Sequence, residues 1–107
     1  MEHLLTWPND SKPAARLAAE LVDDTVTDIR NRGHTRQHAL RLAALELGLG
    51  FRRARSLLYG DPVALPGEEL LRIRAGYLAH LDAEAAHLAA RSAAARERLA
   101  RMLADET

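Results

Sequence analysis

Residues 39–60, ALRLAALELGLGFRRARSLLYG, decide the fold. Apolar residues at helical spacing run into Gly48-Leu49-Gly50, and out of that turn comes a short segment carrying Arg52, Arg53 and Arg55. Two helices joined so closely need a small residue where they approach. They also need a turn residue that tolerates left-handed angles, and apolar residues that lock one helix onto the other. Ala44 is the small residue and Gly48, four positions on, is the turn. Leu47 and Leu49 flank the turn as core contacts, and Ala54 and Leu57 face back from the second helix. With those two turned inward, helical geometry places Arg52, Arg53, Arg55 and Ser56 on or near the outer face.

Upstream, NDSKPAARLAAELVDDTVTDIRNRG reads as a first helix, with Asp10 or Ser11 as cap, Pro13 in the first turn and Gly33 past the end. Ala14, Leu17, Ala18, Leu21, Val22, Thr25 and Ile29 form its apolar stripe, Asp23-Asp24 reads as a solvated acidic face, and Trp7 reads as a plug folded back onto the body. The second helix starts behind Thr35 as N-cap. Its Ala39, Leu40, Leu42, Ala43, Leu45 and Leu47 offer more apolar surface than one stripe needs, so it is expected to be covered on two sides. The third helix stops at Tyr59-Gly60-Asp61-Pro62. Pro66, with Glu68 and Glu69 behind it, starts a fourth running from about 66 to about 104, roughly 55 Å long. No strand pattern is present. The expected class is all-α: a small helical domain over residues 1–62, then a long C-terminal helix within 63–107.

Charge is unevenly distributed although the 15 basic and 15 acidic residues cancel. Residues 1–29 carry two basic and six acidic residues. Residues 30–58 carry Arg30, Arg32, Arg36, Arg41, Arg52, Arg53 and Arg55 against Glu46 alone, a net +6. Residues 59–107 return to −2. A basic middle between acidic ends is the electrostatic footprint of a local nucleic-acid contact; the competing reading is a solvated, salt-bridged helix face.

The spacing of Ala44, Gly48, Ala54 and Leu57 resembles the helix-turn-helix of bacterial and phage DNA-binding regulators. The resemblance covers about 22 residues, 39–60. It departs from the pattern at Ala54, which is smaller than the usual branched aliphatic, and in lacking Ser, Thr or Gln at the start of the third helix. It implies that Arg52, Arg53, Arg55 and Ser56 enter the major groove, where arginine pairs with guanine or holds phosphate. Arg36, Gln37 and Arg41 would lie toward the flanking backbone, and Phe51 is expected to pack inward.

From Leu71 onward the fourth helix alternates spacings of three and four: Leu71, Arg74, Leu78, Leu81, Ala85, Leu88, Ser92, Ala95, Leu99, Met102. This is a heptad seam. An antiparallel pair centred near residue 90 sets Leu78 against Met102, Leu81 against Leu99, Ala85 against Ala95 and Leu88 against Ser92. It also brings Asp82 to Arg96 and Glu84 to Arg98, whereas a parallel pair would set like charges together. A two-fold homodimer is the expectation; the alternative is that this helix folds against the first helix of its own chain.

Other classes are disfavoured. With no cysteine there is no disulfide framework or thiolate zinc site. His80, Glu84 and His87 share one face and His34 and His38 form an i, i+4 pair, but with no further ligands all are expected to be exposed helix residues, and no metal or cofactor is expected. No phosphate loop, serine elbow or catalytic carboxylate pair is present, so an enzyme is not expected. The N-terminus is too acidic for a signal peptide and no run is long enough to span a membrane, so a cytoplasmic protein is expected. Four aromatic residues give little platform for single-stranded RNA. The expectation is a double-stranded-DNA-binding transcriptional regulator, a repressor of bacterial or phage type acting as a homodimer. The alternative is an antitoxin or adaptor that works through protein–protein contacts without specific DNA recognition.

Overall fold

The computed structural model describes residues 11–106, which contain four helices and no strand. They are α1 (Ser11–Arg30), α2 (Arg36–Leu47), α3 (Phe51–Leu58) and α4 (Gly67–Asp105). The expected all-α class and long last helix are both present. Trp7 and the candidate cap Asp10 lie outside the described residues.

Each boundary follows from local chemistry. The stripe of α1 buries Ala14, Ala18, Val22, Val26 and Ile29. Thr25 lies among them, and its hydroxyl donates to the Leu21 carbonyl at 2.8 Å, so no polar atom is orphaned. The Thr35 hydroxyl accepts from the His38 backbone N–H at 3.2 Å and caps α2 as expected. At the far end Gly48 sits at φ 71°, the left-handed region. There the Leu49 N–H reaches the Ala44 carbonyl at 2.8 Å and the Gly48 N–H reaches that of Leu45 at 3.3 Å. This pair of bonds closes the helix and folds Leu49 back into the core.

The core is shared by all four helices. Ile29, Leu47, Leu57 and Ile73 are essentially inaccessible, and each contributes on the order of 1.5–3 kcal/mol by leaving water. Covered by α1, α3 and α4, α2 is packed on more than one side as its composition required. Leu45 is the exception and stays 77% exposed. Where α4 crosses the end of α2, Gly76 lets the two backbones meet: a Cβ there would lie 2.5 Å from the Glu46 carbonyl oxygen and 2.9 Å from the Leu47 Cα.

Only the first half of α4 joins this body. Ile73 is buried, Tyr77 partly so, and from residue 85 to residue 106 every residue is exposed. With 39 residues the helix is about 58 Å long, which accounts for the overall dimensions of 68 × 33 × 16 Å.

The sequence reading is corrected at His80, which was expected to be exposed. It is 2% exposed and is gripped from two other helices: Nδ1 lies 3.2 Å from Glu46 Oε1 of α2 and Nε2 lies 3.0 Å from Asp28 Oδ2 of α1. A neutral imidazole has one N–H, so only the doubly protonated ring donates to both carboxylates. Polar contacts continue on either side. The Tyr77 hydroxyl donates to Asp24 Oδ2 at 3.2 Å, and Arg32 pairs with Glu84. Asp24 and Asp28 on α1, and Arg32 in the turn just past its end, thus meet Tyr77, His80 and Glu84 on α4 as a ladder. Burial, then the neighbouring Asp24 charge and its hydrogen bond, then Asp28, hold the Tyr77 hydroxyl above its ordinary value of 10.0.

Candidate nucleic-acid interface

Three residues, Gly48-Leu49-Gly50, separate α2 from α3. Ala44, Leu47, Leu49, Ala54 and Leu57 are all buried, as the spacing required. Burying Ala54 and Leu57 fixes the rotation of α3 and sends its arginines outward. Arg52 and Arg55 are exposed, and Arg53 and Ser56 are partly buried. From α2, Arg36, Gln37 and Arg41 are exposed.

Three of these arginines lie over aromatic rings beside the turn, and Arg52 is exposed next to one of those rings in the chain. The Arg36 and Arg55 guanidiniums lie 5.5 and 5.8 Å from the centre of the Tyr59 ring. The Arg41 guanidinium lies 4.5 Å from the centre of the Phe51 ring, one residue before Arg52. Phe51 itself packs against the core, as expected. Such contacts are worth about 0.5–1 kcal/mol each at exposed sites, and they restrain long side chains without neutralising them. Among the described residues no carboxylate pairs with Arg36, Arg41, Arg52 or Arg55.

Arg53 has a different partner. Its Nε and Nη2 fork the Glu69 carboxylate, the second contact at 2.9 Å, and Nη2 also donates to the Ala64 carbonyl. This bidentate pair ties α3 to the first turn of α4 across the 59–66 connection. The salt-bridged reading of the basic block therefore holds for Arg53 and Arg32, while the exposed four meet no carboxylate among the described residues.

Tyr59 is more than part of the stop signal that ends α3. A half-exposed tyrosine directly after an arginine-rich helix was the available sign that it organises those arginines. The His34 and His38 rings lie tilted at 37° with 5.0 Å between centroids, and among the described residues no cluster of three or more candidate ligands could hold a metal ion.

The seam residues of α4 face away from the body. Leu71, Leu78, Leu81, Leu88, Leu99 and Met102 are 39–63% exposed, and Ala85 and Ala95 are exposed with them. Packing within the chain uses a neighbouring stripe, Ile73, Gly76, Tyr77, His80 and Glu84. Glu84, one of the charges expected to meet Arg98 of a second copy, pairs with Arg32 of its own chain. No helix among the described residues is long and apolar enough to cross a membrane. No protein family, curated protein or solved structure matches the chain.

Proposed function

We propose that the protein is a sequence-specific double-stranded-DNA-binding regulator that acts by occupying an operator, with α3 as the reading helix. The observation that carries this reading is the gathering of Arg36, Arg41, Arg52 and Arg55 around one turn with no carboxylate partner among the described residues, on a chain of zero net charge. Arginines kept for solubility alone could have been paired, as Arg32 and Arg53 are. Arg52 and Arg55 project from the outer side of a short helix, the placement from which a guanidinium bonds guanine bidentately. Arg36 and Arg41 flank it and suit phosphate. The reading makes the protein a binder without chemistry, and α4 its homodimerisation device.

A random duplex pool tests it. Two phosphate-facing guanidiniums per head, Arg36 and Arg41, give a log–log salt slope of roughly −2 per head, and Arg52→Ala or Arg55→Ala weakens a selected site by about 1–3 kcal/mol where the side chain pairs with a base. Absence of salt-dependent binding to any duplex, with the variants indistinguishable from wild type, would end the reading.

For dimerisation, the support is that the apolar seam of α4 is exposed and the body is packed on another stripe, so the seam is free to take a second copy. In the antiparallel register centred near residue 90 it meets its own counterpart, with Asp82 beside Arg96 of the second copy. Leu81→Asp, which buries an unpaired carboxylate, abolishes such a dimer in sedimentation.

A further inference from the structure

Two stripes run along α4, and the angle between them sets the shape of any pair it makes. The body grips Ile73, Tyr77, His80 and Glu84; the free apolar seam is Leu78, Leu81, Ala85 and Leu88. At 3.6 residues per turn the centres of these stripes are about 100° apart around the helix. In an antiparallel two-fold pair the dyad stands perpendicular to the plane containing both helix axes. A second α4 docked on the seam lies in that plane. The body, about 100° round, therefore projects nearly along the dyad, and rotation about the dyad leaves both bodies on the same side of the pair.

The register then sets their separation. α3 is tied to α4 at Glu69 through Arg53. With the centre at residue 90, the two Glu69 positions are 42 residues of rise apart, about 63 Å at 1.5 Å per residue. Adding an interaxial offset of about 10 Å changes this little. One turn of B-DNA is about 34–36 Å, so one turn is far too short, three are far too long, and two turns match. We infer that the ligand is a single duplex with inverted half-sites about two helical turns, roughly 20–21 base pairs, centre to centre. This rests on the DNA-binding and homodimer readings above and deepens them.

Two measurements test it, one without DNA. The chain has no cysteine, so single labels are clean. Glu97→Cys and Glu68→Cys put spin labels on exposed sites of α4. Dipolar spectroscopy of the homodimer is expected to give about 21 Å for the first and about 66 Å for the second, from the same rise per residue, with label linkers adding several ångströms. A parallel pair gives two short distances, and a monomer gives none; either overturns the inference. The second measurement places a selected half-site at inverted spacings of 10, 15, 20, 21, 25 and 31 base pairs. Affinity is expected to peak at 20–21, at least about tenfold above the half-integral spacings, because whole turns put both half-sites on one face and only two turns match the separation of the heads. A peak at 10 overturns the spacing while leaving DNA recognition standing. Failure to bind any duplex, with the label distances as expected, overturns DNA recognition and this inference with it but leaves the dimer intact.

Discussion

Replacing Gly76 by alanine should destabilise the protein, although the same change inside a helix ordinarily stabilises. Alanine gains about 0.8–1 kcal/mol over glycine in intrinsic helix preference. Here the added Cβ would meet backbone, at 2.5 Å from the Glu46 carbonyl oxygen and 2.9 Å from the Leu47 Cα, where ordinary contact begins at 3.4 Å. Neither atom belongs to a side chain that can swing away, so α4 must withdraw from α2 by about 1 Å, and overpacking of this kind costs about 1–3 kcal/mol. The same withdrawal stretches the 3.2 Å His80–Glu46 contact beyond hydrogen-bond range, a further 1.5–3 kcal/mol or so for a charged bond. The net loss is about 2–4 kcal/mol, a fall in Tm of roughly 10–20 °C for a domain of this size. Thermal and urea unfolding followed by circular dichroism read it directly. Gly67→Ala is the control, since a Cβ there meets nothing within 4 Å, and it should leave Tm unchanged or slightly raised. A Gly76→Ala protein as stable as wild type would refute the close approach of α4 to α2.

Gly48→Val forces a β-branched residue to φ 71° and should lower both Tm and duplex affinity, by at least about 1–2 kcal/mol in stability. Arg53→Ala loses the fork to Glu69 and should cost about 1–2 kcal/mol in stability while leaving the salt slope of DNA binding unchanged, which separates a structural arginine from a phosphate contact. The Tyr77 hydroxyl is raised above its ordinary value, so its neutral form is favoured by folding. Its contribution is intact below about pH 10 and is lost as pH rises through the higher folded value; unfolding followed from pH 9 to 12 should show a decline that Tyr77→Phe diminishes.

The α2–α3 unit was legible because its signals are local. Thr35 caps the helix that it immediately precedes, Gly48 sits where a left-handed residue is required, and Ala54 and Leu57 are spaced to face the preceding helix. The inner face of α4 was not legible. Periodicity selects the most apolar stripe of a helix, and on α4 that stripe faces outward. The stripe that packs holds one isoleucine, Ile73, beside a glycine, a tyrosine, a histidine and a glutamate, and the partners of its polar members lie far away in sequence: Glu46 is 34 residues and Asp28 is 52 residues from His80. Gly76 was the readable sign. A glycine in the middle of a long helix is costly, and a helix that keeps one has reason to be approached closely there. Likewise the fork between Arg53 and Glu69 spans a connection whose path no local pattern encodes.

With Ile73, Tyr77 and His80 inside and the leucines of the seam outside, the rotation of α4 sets a physical problem. Turning α4 by one residue, about 100°, would bury Leu78 and Leu81 in exchange for Ile73, Tyr77 and His80, a trade that apolar transfer alone opposes only weakly. Gly76 opposes the turn sterically, since any other residue brought to that crossing carries a Cβ. The Asp28–His80–Glu46 contact opposes it as well, because rotation would take the buried ring away from both carboxylates that hold its nitrogens. Buried ionic groups of this sort contribute little net stability compared with apolar replacements of similar size, and their use is in selecting one arrangement. The triple substitution Asp28→Leu, Glu46→Leu and His80→Leu should therefore retain helicity and a Tm within a few degrees of wild type, yet lose the single orientation of α4. Spin labels at Glu68→Cys and Thr27→Cys, on α4 and α1 of one chain, report that orientation in samples diluted with unlabelled protein: a narrow distance distribution in wild type and a broad one in the triple variant. Dimer affinity should fall as the distribution broadens, because a seam turned partly inward offers less to a second copy. A triple variant with an unchanged narrow distribution would show that Gly76 and core packing suffice to orient α4, and that the ladder is not what turns its leucines to solvent.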